Sequence, residues 1–233
     1  MTDNDATTLI PALGVDYRMD TVILAAGKGE RLNGITPSFF KPLLVVNRKP
    51  LVTAAADYGL RYGNVTVVAS PDNAAAMTQV LPPNVKMILQ RQALGPGHAL
   101  QIGLQLVNTD NVLVLMGDNY FSQDDVEKVA VSRENGNIVG TEMIPYDDVE
   151  RYTYLDDSHW VEKTAPMTRT DTYQAWVGPL RLRSHEIRKA LEHSHADLRF
   201  EKDEMLIGPL FNILDDVRTV EVKTMDIGVP DAL

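Results

Sequence analysis

The stretch "VILAAGKGERLNGITPSFFKPLL", Val22 to Leu44, joins two apolar runs through a loop of glycines and cations. Its first residues are apolar and include Val22 and Ile23, which predicts a buried strand. Two glycines, Gly27 and Gly29, follow where that strand should end. Glycine lets backbone N–H groups approach a ligand closely, and nearby cations attract anions. The segment therefore predicts a buried strand that leads into an anion-binding loop.

Apolar runs alternate with helical patterns up to about residue 136. The predicted strands cover 21–26, 65–70, 85–90 and 112–116, and the predicted helices cover 50–63, 71–81, 97–107 and 122–135. Pro50 suits the first turn of its helix, and Ser122 suits the N-cap of the last one. Continuous apolar strands interleaved with helices are typical of a parallel sheet covered on both faces. The predicted fold class is therefore α/β, a Rossmann-like three-layer α/β/α sandwich with a mixed, mostly parallel sheet.

The pattern changes after residue 136. Predicted strands then cover 137–144, 153–157, 159–163, 172–182 and 219–228, and predicted helices cover 184–194 and 203–216. Because no linker-like stretch of Pro, Gly or Ser divides the two parts, these strands predict an antiparallel extension of the same sheet. Residues 1–18 are polar and weakly patterned, which predicts a loose N-terminal extension before a single domain at 19–233.

The composition limits the classes of partner. The chain has 233 residues, a formal net charge of −10 and a pI near 4.9. This suits one α/β domain and argues against a protein that coats nucleic acid or an anionic membrane. The sequence contains no cysteine, no long apolar run and no basic segment before an apolar one, which predicts a cytoplasmic protein without a membrane partner. The opening loop differs in charge, because residues 27–50 contain five basic residues and one acidic residue.

Two familiar glycine loops do not match this segment. A Walker A loop reads GxxxxGK[ST], which the chain lacks. A dinucleotide loop reads GxGxxG, but Leu32 stands at the third glycine and no acidic residue occurs from Leu32 to Ala56. An arginine and a lysine beside two glycines suit a triphosphate instead, because its oxygens accept from several donors. The alternative is that Arg31 and Lys41 are solvated surface charges in a turn.

The residues of this loop resemble those of a known family. In order they are Leu24, Ala26, Gly27, Gly29, Arg31, Leu32, Thr36, Pro37, Lys41, Pro42 and Leu43. The pattern resembles the signature of sugar-phosphate nucleotidylyltransferases, which join a nucleoside triphosphate to a sugar 1-phosphate. The resemblance implies two catalytic residues, Arg31 and Lys41. It also implies a set of nucleotide-binding residues: Leu24, Ala26, Gly27 and Gly29.

A second glycine segment follows the third predicted strand. From the residues alone, the amide of Gln90 could bind a base edge, or the segment could be an ordinary turn before a helix. The order Gln90, then Gly95-Pro96-Gly97-His98, resembles the base-reading segment of family members that use UTP or dTTP. The resemblance implies that Gln90 and Gly95 contact the base. His98 is interpreted as a packed or capping residue rather than a proton carrier.

A carboxylate follows the fourth predicted strand, where Gly117 precedes Asp118. This aspartate could form an Asx turn, or it could bind Mg²⁺, which takes few protein carboxylates and keeps phosphate oxygens and waters. The resemblance implies that Asp118 is the first metal ligand. It implies that the second is Asp226, in a D-x-G after the last strand, and that the cofactor is Mg²⁺.

The acceptor-binding residues are implied by the resemblance alone. The segment V-E-K at 161–163 resembles one in which a glutamate meets sugar hydroxyls and a lysine meets the sugar phosphate. These residues are Glu162 and Lys163. Four departures from the family pattern concern this side of the site. Thr153 replaces a glycine that lies close to the sugar, Thr164 replaces a proline, Met225 stands where an aromatic residue is frequent, and Pro209 interrupts an expected regular segment. A side chain at residue 153 predicts a reshaped sugar pocket.

The predicted function is transfer of a nucleotidyl group, favouring UTP or dTTP, to a sugar 1-phosphate with release of pyrophosphate. Residues 19–136 form the nucleotide-binding half of one nucleotidyltransferase domain, and residues 137–233 form the acceptor-binding half. The expected partners are these substrates, not nucleic acid, and homo-oligomerisation stays open. One alternative is transfer to a non-sugar phosphate such as phosphocholine, and another is a non-catalytic nucleotide-sugar sensor. A glycosyltransferase is disfavoured, since the only D-x-D is Asp3-Asn4-Asp5, in the extension.

Overall fold

The computed structural model describes residues 17–27, 40–162, 164–193, 200–201 and 204–225. The predicted extension at 1–18 therefore lies almost wholly outside the described residues.

In chain order the described strands are β1 (Asp20–Leu24), β2 (Val45–Val46), β3 (Lys49–Pro50), β4 (Val65–Ala69), β5 (Lys86–Leu89), β6 (Asn111–Met116), β7 (Tyr120–Phe121), β8 (Asn137–Pro145), β9 (Thr153–Asp156), β10 (His159–Glu162), β11 (Thr172–Arg183), β12 (Phe200–Glu201), β13 (Glu204–Met205), β14 (Val217–Glu221) and β15 (Thr224–Met225).

The α-helices are α1 (Leu51–Gly59), α2 (Ala74–Thr78), α3 (Gly95–Leu104), α4 (Gln123–Ala130) and α5 (Ser184–His193). Short 3-10 helices cover Lys41–Leu43, Val149–Arg151 and Gly208–Asn212. The predicted cap of α4 is confirmed, because the Ser122 hydroxyl accepts from the backbone N–H of Asp125 at 3.1 Å. No helix of the described residues is both long and apolar enough to cross a membrane.

The sheet has a parallel centre. Strand β1 pairs with β4 on one side and β6 on the other, and β4 pairs with β5. All five residues of β1 and of β4 are buried, because helices cover both faces. One core cluster includes Leu100 of α3 and Ile187 of α5, and another includes Val52 of α1 and Val126 of α4. The three-layer α/β/α fold with a mixed, mostly parallel sheet is therefore confirmed.

The long antiparallel strand β11 joins the two halves of the sheet. Along one edge it pairs first with β9, through Trp176 and Thr153, and then with β6, through Leu180 and Val114. Its other edge pairs with β8, which pairs in parallel with β14. Because β6 and β9 share one edge of β11, β9 begins just beyond the carboxyl end of β6. The hairpin of β9 and β10 therefore lies beside the edge where the parallel strands end.

The helix predicted for residues 203–216 is wrong. The chain forms the short strand β13 and then the 3-10 helix Gly208–Asn212. Two physical reasons account for this. The backbone N–H of Met205 donates to the carbonyl of Leu94 at 2.8 Å, outside any helix. Pro209 cannot donate to a helical ladder, so it is tolerated only at the start of the new helix.

Candidate active site

The end of β1 leads to Gly27, the last residue described before the predicted anion-binding loop. Ala25 and Ala26 are buried, but Gly27 is exposed, and a Cβ atom on Gly27 would meet nothing within 4 Å among the described residues. Contacts with the described residues therefore do not require glycine at this position. A buried residue that sequence reasoning missed holds this end in place. Asn73 is 0% exposed, and its amide donates to the carbonyl of Ala25 at 2.8 Å.

Asn73 also fixes the neighbouring strand end. Its side-chain oxygen accepts from the backbone N–H of Ser70 at 2.9 Å, directly after β4. The signal in the sequence was a Ser-x-x-Asn turn after a buried strand, which is a common local hydrogen-bonding pattern. Asn73 thus ties the ends of β1 and β4 together at the carboxyl edge of the sheet.

Lys41 and Asp118 meet at this same edge. Lys41 opens the 3-10 helix Lys41–Leu43, and Asp118 lies just after β6. The Lys41 Nζ lies 3.8 Å from the Asp118 Oδ2, and the two side chains are 16% and 35% exposed. Gly117 allows this close approach of strand ends, because a Cβ there would lie 2.8 Å from the Cβ of Ala25. The structure therefore brings together one predicted catalytic residue and one predicted metal ligand.

Four predicted site residues lie outside the described residues: Gly29, Arg31, Lys163 and Asp226. The chain just before Asp226 is described. Strand β15 pairs with β7, and Met225 lies opposite Tyr120 in that ladder. Tyr120 follows closely after Asp118, so the last described residues run beside the Asp118 segment.

The predicted base-reading residues are also in contact. Gln90 follows β5 and is 5% exposed, and its Nε2 donates to the carbonyl of Gly95 at 2.9 Å. The same Nε2 lies 3.1 Å from the Nδ1 of His98, on α3. Burial lowers the pKa of His98 below its ordinary value, and a backbone hydrogen bond with Gln92 opposes part of that effect. The favoured neutral imidazole accepts from the Gln90 amide, so Gln90 organises this loop from within.

The glycines of this loop have a packing role. Gly95 has a φ of +85°, and a Cβ there would lie 2.7 Å from the carbonyl oxygen of Met205. A Cβ on Gly97 would lie 2.6 Å from the Cγ of Met205. Together with the hydrogen bond from the Met205 N–H to the Leu94 carbonyl, these contacts pack residues 204–206 against the loop at 90–98, here called the base loop. The two glycines are therefore required by the neighbouring chain.

The predicted acceptor glutamate is held by the same part of the chain. Glu162 ends β10, and its Oε2 accepts from the backbone N–H of Gly208 at 3.0 Å. Thr153 lies opposite Glu162 in the ladder between β9 and β10. Since β9 begins just beyond the end of β6, these residues lie on the acceptor side of the strand edge that carries Asp118.

A cavity of about 430 Å³ lies between β10 and the 3-10 helix Gly208–Asn212. Its lining is His159, Trp160, Val161, Glu162, Pro209, Asn212 and Ile213. The Asn212 side chain closes the edge of β10, because its oxygen accepts from the Trp160 N–H at 2.8 Å and its nitrogen donates to the Trp160 carbonyl at 2.8 Å. The cavity is mostly apolar, with one carboxylate at its Glu162 end.

A family comparison decides the identity of this fold. The family described as the MobA-like NTP transferase domain matches residues 21–196, from β1 to just beyond α5. The chain belongs to this family. This membership confirms that the chain contains a nucleotidyltransferase-type domain, as the resemblance implied.

Curated relatives of this MobA-like domain include proteins described as bifunctional protein GlmU. The protein from Thermosipho africanus is 36% identical over 101 residues, which are 43% of this chain and 22% of the relative. The protein from Cellvibrio japonicus is 34% identical over 103 residues, again 43% of this chain and 22% of the relative. The chain thus spans less than a quarter of the length of these relatives.

Solved structures share the fold of this MobA-like domain. UDP-glucose pyrophosphorylase complexed with UDP-glucose has a TM-score of 0.73 and 18% identity, covering 92% of this chain and 95% of that one. A putative glucose-1-phosphate thymidylyltransferase from Bacillus anthracis, in complex with a sucrose, has a TM-score of 0.67 and 21% identity. The second match covers 91% of each chain.

Proposed function

We propose that this chain transfers a nucleotidyl group, from UTP or dTTP by preference, to a sugar 1-phosphate and releases pyrophosphate. One observation carries the proposal: the Lys41 Nζ and the Asp118 Oδ2 lie 3.8 Å apart at the carboxyl edge of the sheet. Ligands of open α/β sheets bind at this edge. The exposed Gly27 at the end of β1 adds open backbone to the same place.

In the proposed reaction an oxygen of the sugar 1-phosphate attacks the α-phosphorus of the triphosphate in line. A new oxygen–phosphorus bond forms, and the bond from the α-phosphorus to the bridging oxygen breaks. Pyrophosphate leaves with that electron pair. Because the attacking phosphate is already largely ionised near neutral pH, no protein base is needed. The protein's task is to neutralise and align two anionic reactants.

The proposed roles follow from charge and position. Lys41 contacts the α-phosphate, while Arg31 and the backbone of Gly27 and Gly29 bind the β- and γ-phosphates. Leu24 and Ala26 form the buried approach to that loop. Gln90 and Gly95 face the base. On the acceptor side, Glu162 binds sugar hydroxyls and Lys163 binds the sugar phosphate.

The one proposed metal ligand among the described residues, Asp118, suits Mg²⁺. No cluster of three or more His, Asp or Glu residues that could hold a metal occurs among the described residues. Mg²⁺ does not need one, because it takes one or two carboxylates and fills its other positions with phosphate oxygens and waters. Asp118, which is partly exposed and faces a cation, supplies one carboxylate, and we propose Asp226 as the second. When bound, the ion would offset the charge of the phosphates.

The experiment is a panel of nucleoside triphosphates against sugar 1-phosphates, with Mg²⁺, read as pyrophosphate release. We expect release with UTP or dTTP and at least one sugar 1-phosphate, and none without the acceptor. Nucleotide binding without release for any acceptor would favour the sensor instead. Cytoplasmic location, homo-oligomerisation and the division into halves at residue 136 stay predictions.

A second candidate is transfer to phosphocholine. The cavity beside Glu162 favours it, because Trp160, Val161, Pro209 and Ile213 give that cavity an apolar and aromatic lining. Aromatic faces and a carboxylate suit a quaternary ammonium group. Phosphocholine therefore belongs in the acceptor panel, and release with phosphocholine but with no sugar 1-phosphate would favour this candidate.

A further inference from the structure

A buried carboxylate lies at the start of α4, outside the proposed site. Asp125 is 5% exposed, although aspartate is mostly exposed in folded proteins unless its charge is paired. Its Oδ2 accepts from the Ser122 hydroxyl at 2.6 Å, and its Oδ1 accepts from the Lys128 ammonium at 2.9 Å. The Ser122 hydroxyl already caps α4 by accepting from the Asp125 N–H, so capping alone does not account for the buried carboxylate.

A third donor to this carboxylate comes from a distant part of the chain. The backbone N–H of Lys223 donates a hydrogen bond to Asp125. The ladder between β7 and β15 supports this contact, because Thr224 lies opposite Phe121. One step further along the same antiparallel register, Lys223 comes beside Ser122, which is the cap of α4.

The carboxylate is charged at neutral pH. Burial alone would raise the pKa of this group, but hydrogen bonds from Ser122, Lys128 and the backbone of Lys223 hold that pKa below its ordinary value. A hydrogen bond to a charged acceptor is stronger than one between neutral groups. The contact with the Lys223 backbone is therefore of the strong kind.

The same part of the fold carries both proposed metal ligands. Strand β7 begins at Tyr120, shortly after Asp118, and Tyr120 pairs with Met225, the residue before Asp226. Helix α4 begins directly after β7 and packs into the core. Asp125 therefore fastens the chain that leads to Asp226 onto the element that follows Asp118.

We propose that Asp125 is a positioning residue of the metal site, which holds the chain at residue 223 so that Asp226 and Asp118 serve the same Mg²⁺. The inference rests on the proposed function, in which these two aspartates share the ion. Because both oxygens of Asp125 already accept hydrogen bonds, Asp125 is not itself a ligand. Without its hold, the chain would present Asp226 correctly for only part of the time, and the apparent affinity for Mg²⁺ would fall by that fraction.

The first test is the affinity for Mg²⁺ of the protein saturated with a slowly hydrolysed analogue of UTP or dTTP, measured by calorimetric titration. With Asp125→Ala we expect the Kd for Mg²⁺ to rise about three- to tenfold. The variant should fold, because the side chain of its partner Lys128 is 52% exposed and is not left buried without a counter-charge. An unchanged Kd for Mg²⁺ overturns the proposal.

Ser122→Ala is the matched control. It removes the cap of α4 but leaves the Asp125 carboxylate to accept from the Lys223 N–H. We expect the Tm to fall by about 2–4 °C, as for the loss of a cap, while the Kd for Mg²⁺ stays close to that of the wild type. An equal rise of that Kd in both variants would assign the effect to the stability of α4 and would overturn the positioning role.

Amide hydrogen exchange tests the contact itself, in the protein without ligand. The amides of residues 222–225 should exchange about tenfold faster in Asp125→Ala than in Ser122→Ala, because only the first variant loses the acceptor of the Lys223 N–H. Equal exchange in the two variants overturns the hold of Asp125 on this segment.

These outcomes separate the inference from the proposed function, because neither measurement needs turnover. If the wild type binds Mg²⁺ with the nucleotide but releases no pyrophosphate with any acceptor, the proposed function fails and Asp125→Ala still decides the positioning role. If pyrophosphate is released but Asp125→Ala keeps the wild-type Kd for Mg²⁺, only the inference fails. If the wild type binds no Mg²⁺ with either analogue, both fail.

Discussion

The proposed nucleotide-binding half and the proposed acceptor-binding half bring their predicted site residues together in different ways. In the first half, the predicted site residues follow parallel strands whose carboxyl ends meet at one edge, as Gly27, Gln90 and Asp118 do. In the second half, Thr153, Glu162 and Gly208 come together through an antiparallel hairpin and a 3-10 helix.

The two sides also differ in how their predicted site residues are held in place. On the nucleotide side, each strand end is held by hydrogen bonds such as that from Asn73 to the carbonyl of Ala25. On the acceptor side, Glu162 accepts from the backbone N–H of Gly208 in a short 3-10 helix. We therefore expect changes on the nucleotide side to affect catalysis broadly, and changes on the acceptor side to act mainly on the acceptor.

The largest effect is expected from Lys41→Ala. Loss of one cation that is in place before the reaction should lower kcat by about a hundredfold or more, since such groups contribute about 3 kcal/mol to transition-state binding. The Tm should change little, because the ion pair with Asp118 is partly exposed. Steady-state pyrophosphate release and thermal unfolding measure the two effects.

Lys49→Ala is the matched control for that change. Lys49 lies in the same cationic segment, but its ammonium pairs with Asp57 on the surface. We expect kcat to stay close to that of the wild type. A loss of activity in Lys49→Ala as large as that in Lys41→Ala would mean that the segment acts through its net charge, not through a placed lysine.

The second effect compares two glycines of the nucleotide half. A Cβ on Gly27 would meet nothing within 4 Å of the described residues, so Gly27→Ala should leave the Tm unchanged but raise the nucleotide KM about tenfold by crowding the phosphates. Gly95→Ala should lower the Tm instead, because its φ is +85° and its Cβ would strike Met205. Equal Tm losses in both variants would contradict a ligand role for Gly27.

A smaller effect is expected from Glu162→Gln. The glutamine oxygen can still accept from the Gly208 N–H, so the fold should be kept, but the carboxylate charge is lost. We expect the acceptor KM to rise several-fold, by about 3 to 10 times, with the nucleotide KM unchanged. Initial rates with each substrate varied in turn measure this. A rise of the same size in the nucleotide KM would contradict the assignment of Glu162 to acceptor binding alone.

The smallest effect is a pH dependence at the base loop. Burial lowers the pKa of His98 below its ordinary value of 6.5, so the folded state favours the neutral ring. The neutral His98 ring therefore stabilises the folded state at a pH above the pKa that His98 has in the unfolded chain. This stabilisation is lost as the pH falls through the lower pKa of His98 in the folded state. Protonation also removes the acceptor of the Gln90 amide.

We therefore expect the nucleotide KM to rise about twofold between roughly pH 7.5 and pH 5.5. His98→Gln keeps an acceptor for Gln90 and carries no titrating group, so it should flatten this dependence. A profile that His98→Gln leaves unchanged would assign the pH effect to the substrates.

Much of the nucleotide half could be predicted because its rules are local. Buried apolar runs separated by helices predict parallel strands, and the strand ends then share an edge, which is why Lys41 and Asp118 could be expected near each other. The Ser122 cap was also readable from the sequence. Asn73 was missed, because a buried asparagine that serves two strand ends has the same sequence pattern as an ordinary turn.

The structure of residues 203–216 in the proposed acceptor half could not be predicted from sequence, for a physical reason. The helix expected at 203–216 is replaced by the short strand β13 and a 3-10 helix, because the Met205 N–H donates to the carbonyl of the distant Leu94 instead of to a helical neighbour. The contact of Thr153 with Gly208 depends on the same tertiary packing. No periodicity in the sequence indicates which residue will fill the space left by a glycine so far along the chain.

The central claim is that Lys41 and Asp118 lie where the triphosphate and its Mg²⁺ bind. The most direct measurement is a crystal structure of the protein with Mg²⁺ and a slowly hydrolysed analogue of UTP or dTTP. We predict phosphate oxygens in contact with the Lys41 Nζ, metal density on the Asp118 carboxylate, and the base beside Gln90 and Gly95. A nucleotide bound elsewhere, with the Lys41–Asp118 pair undisturbed, would contradict the account.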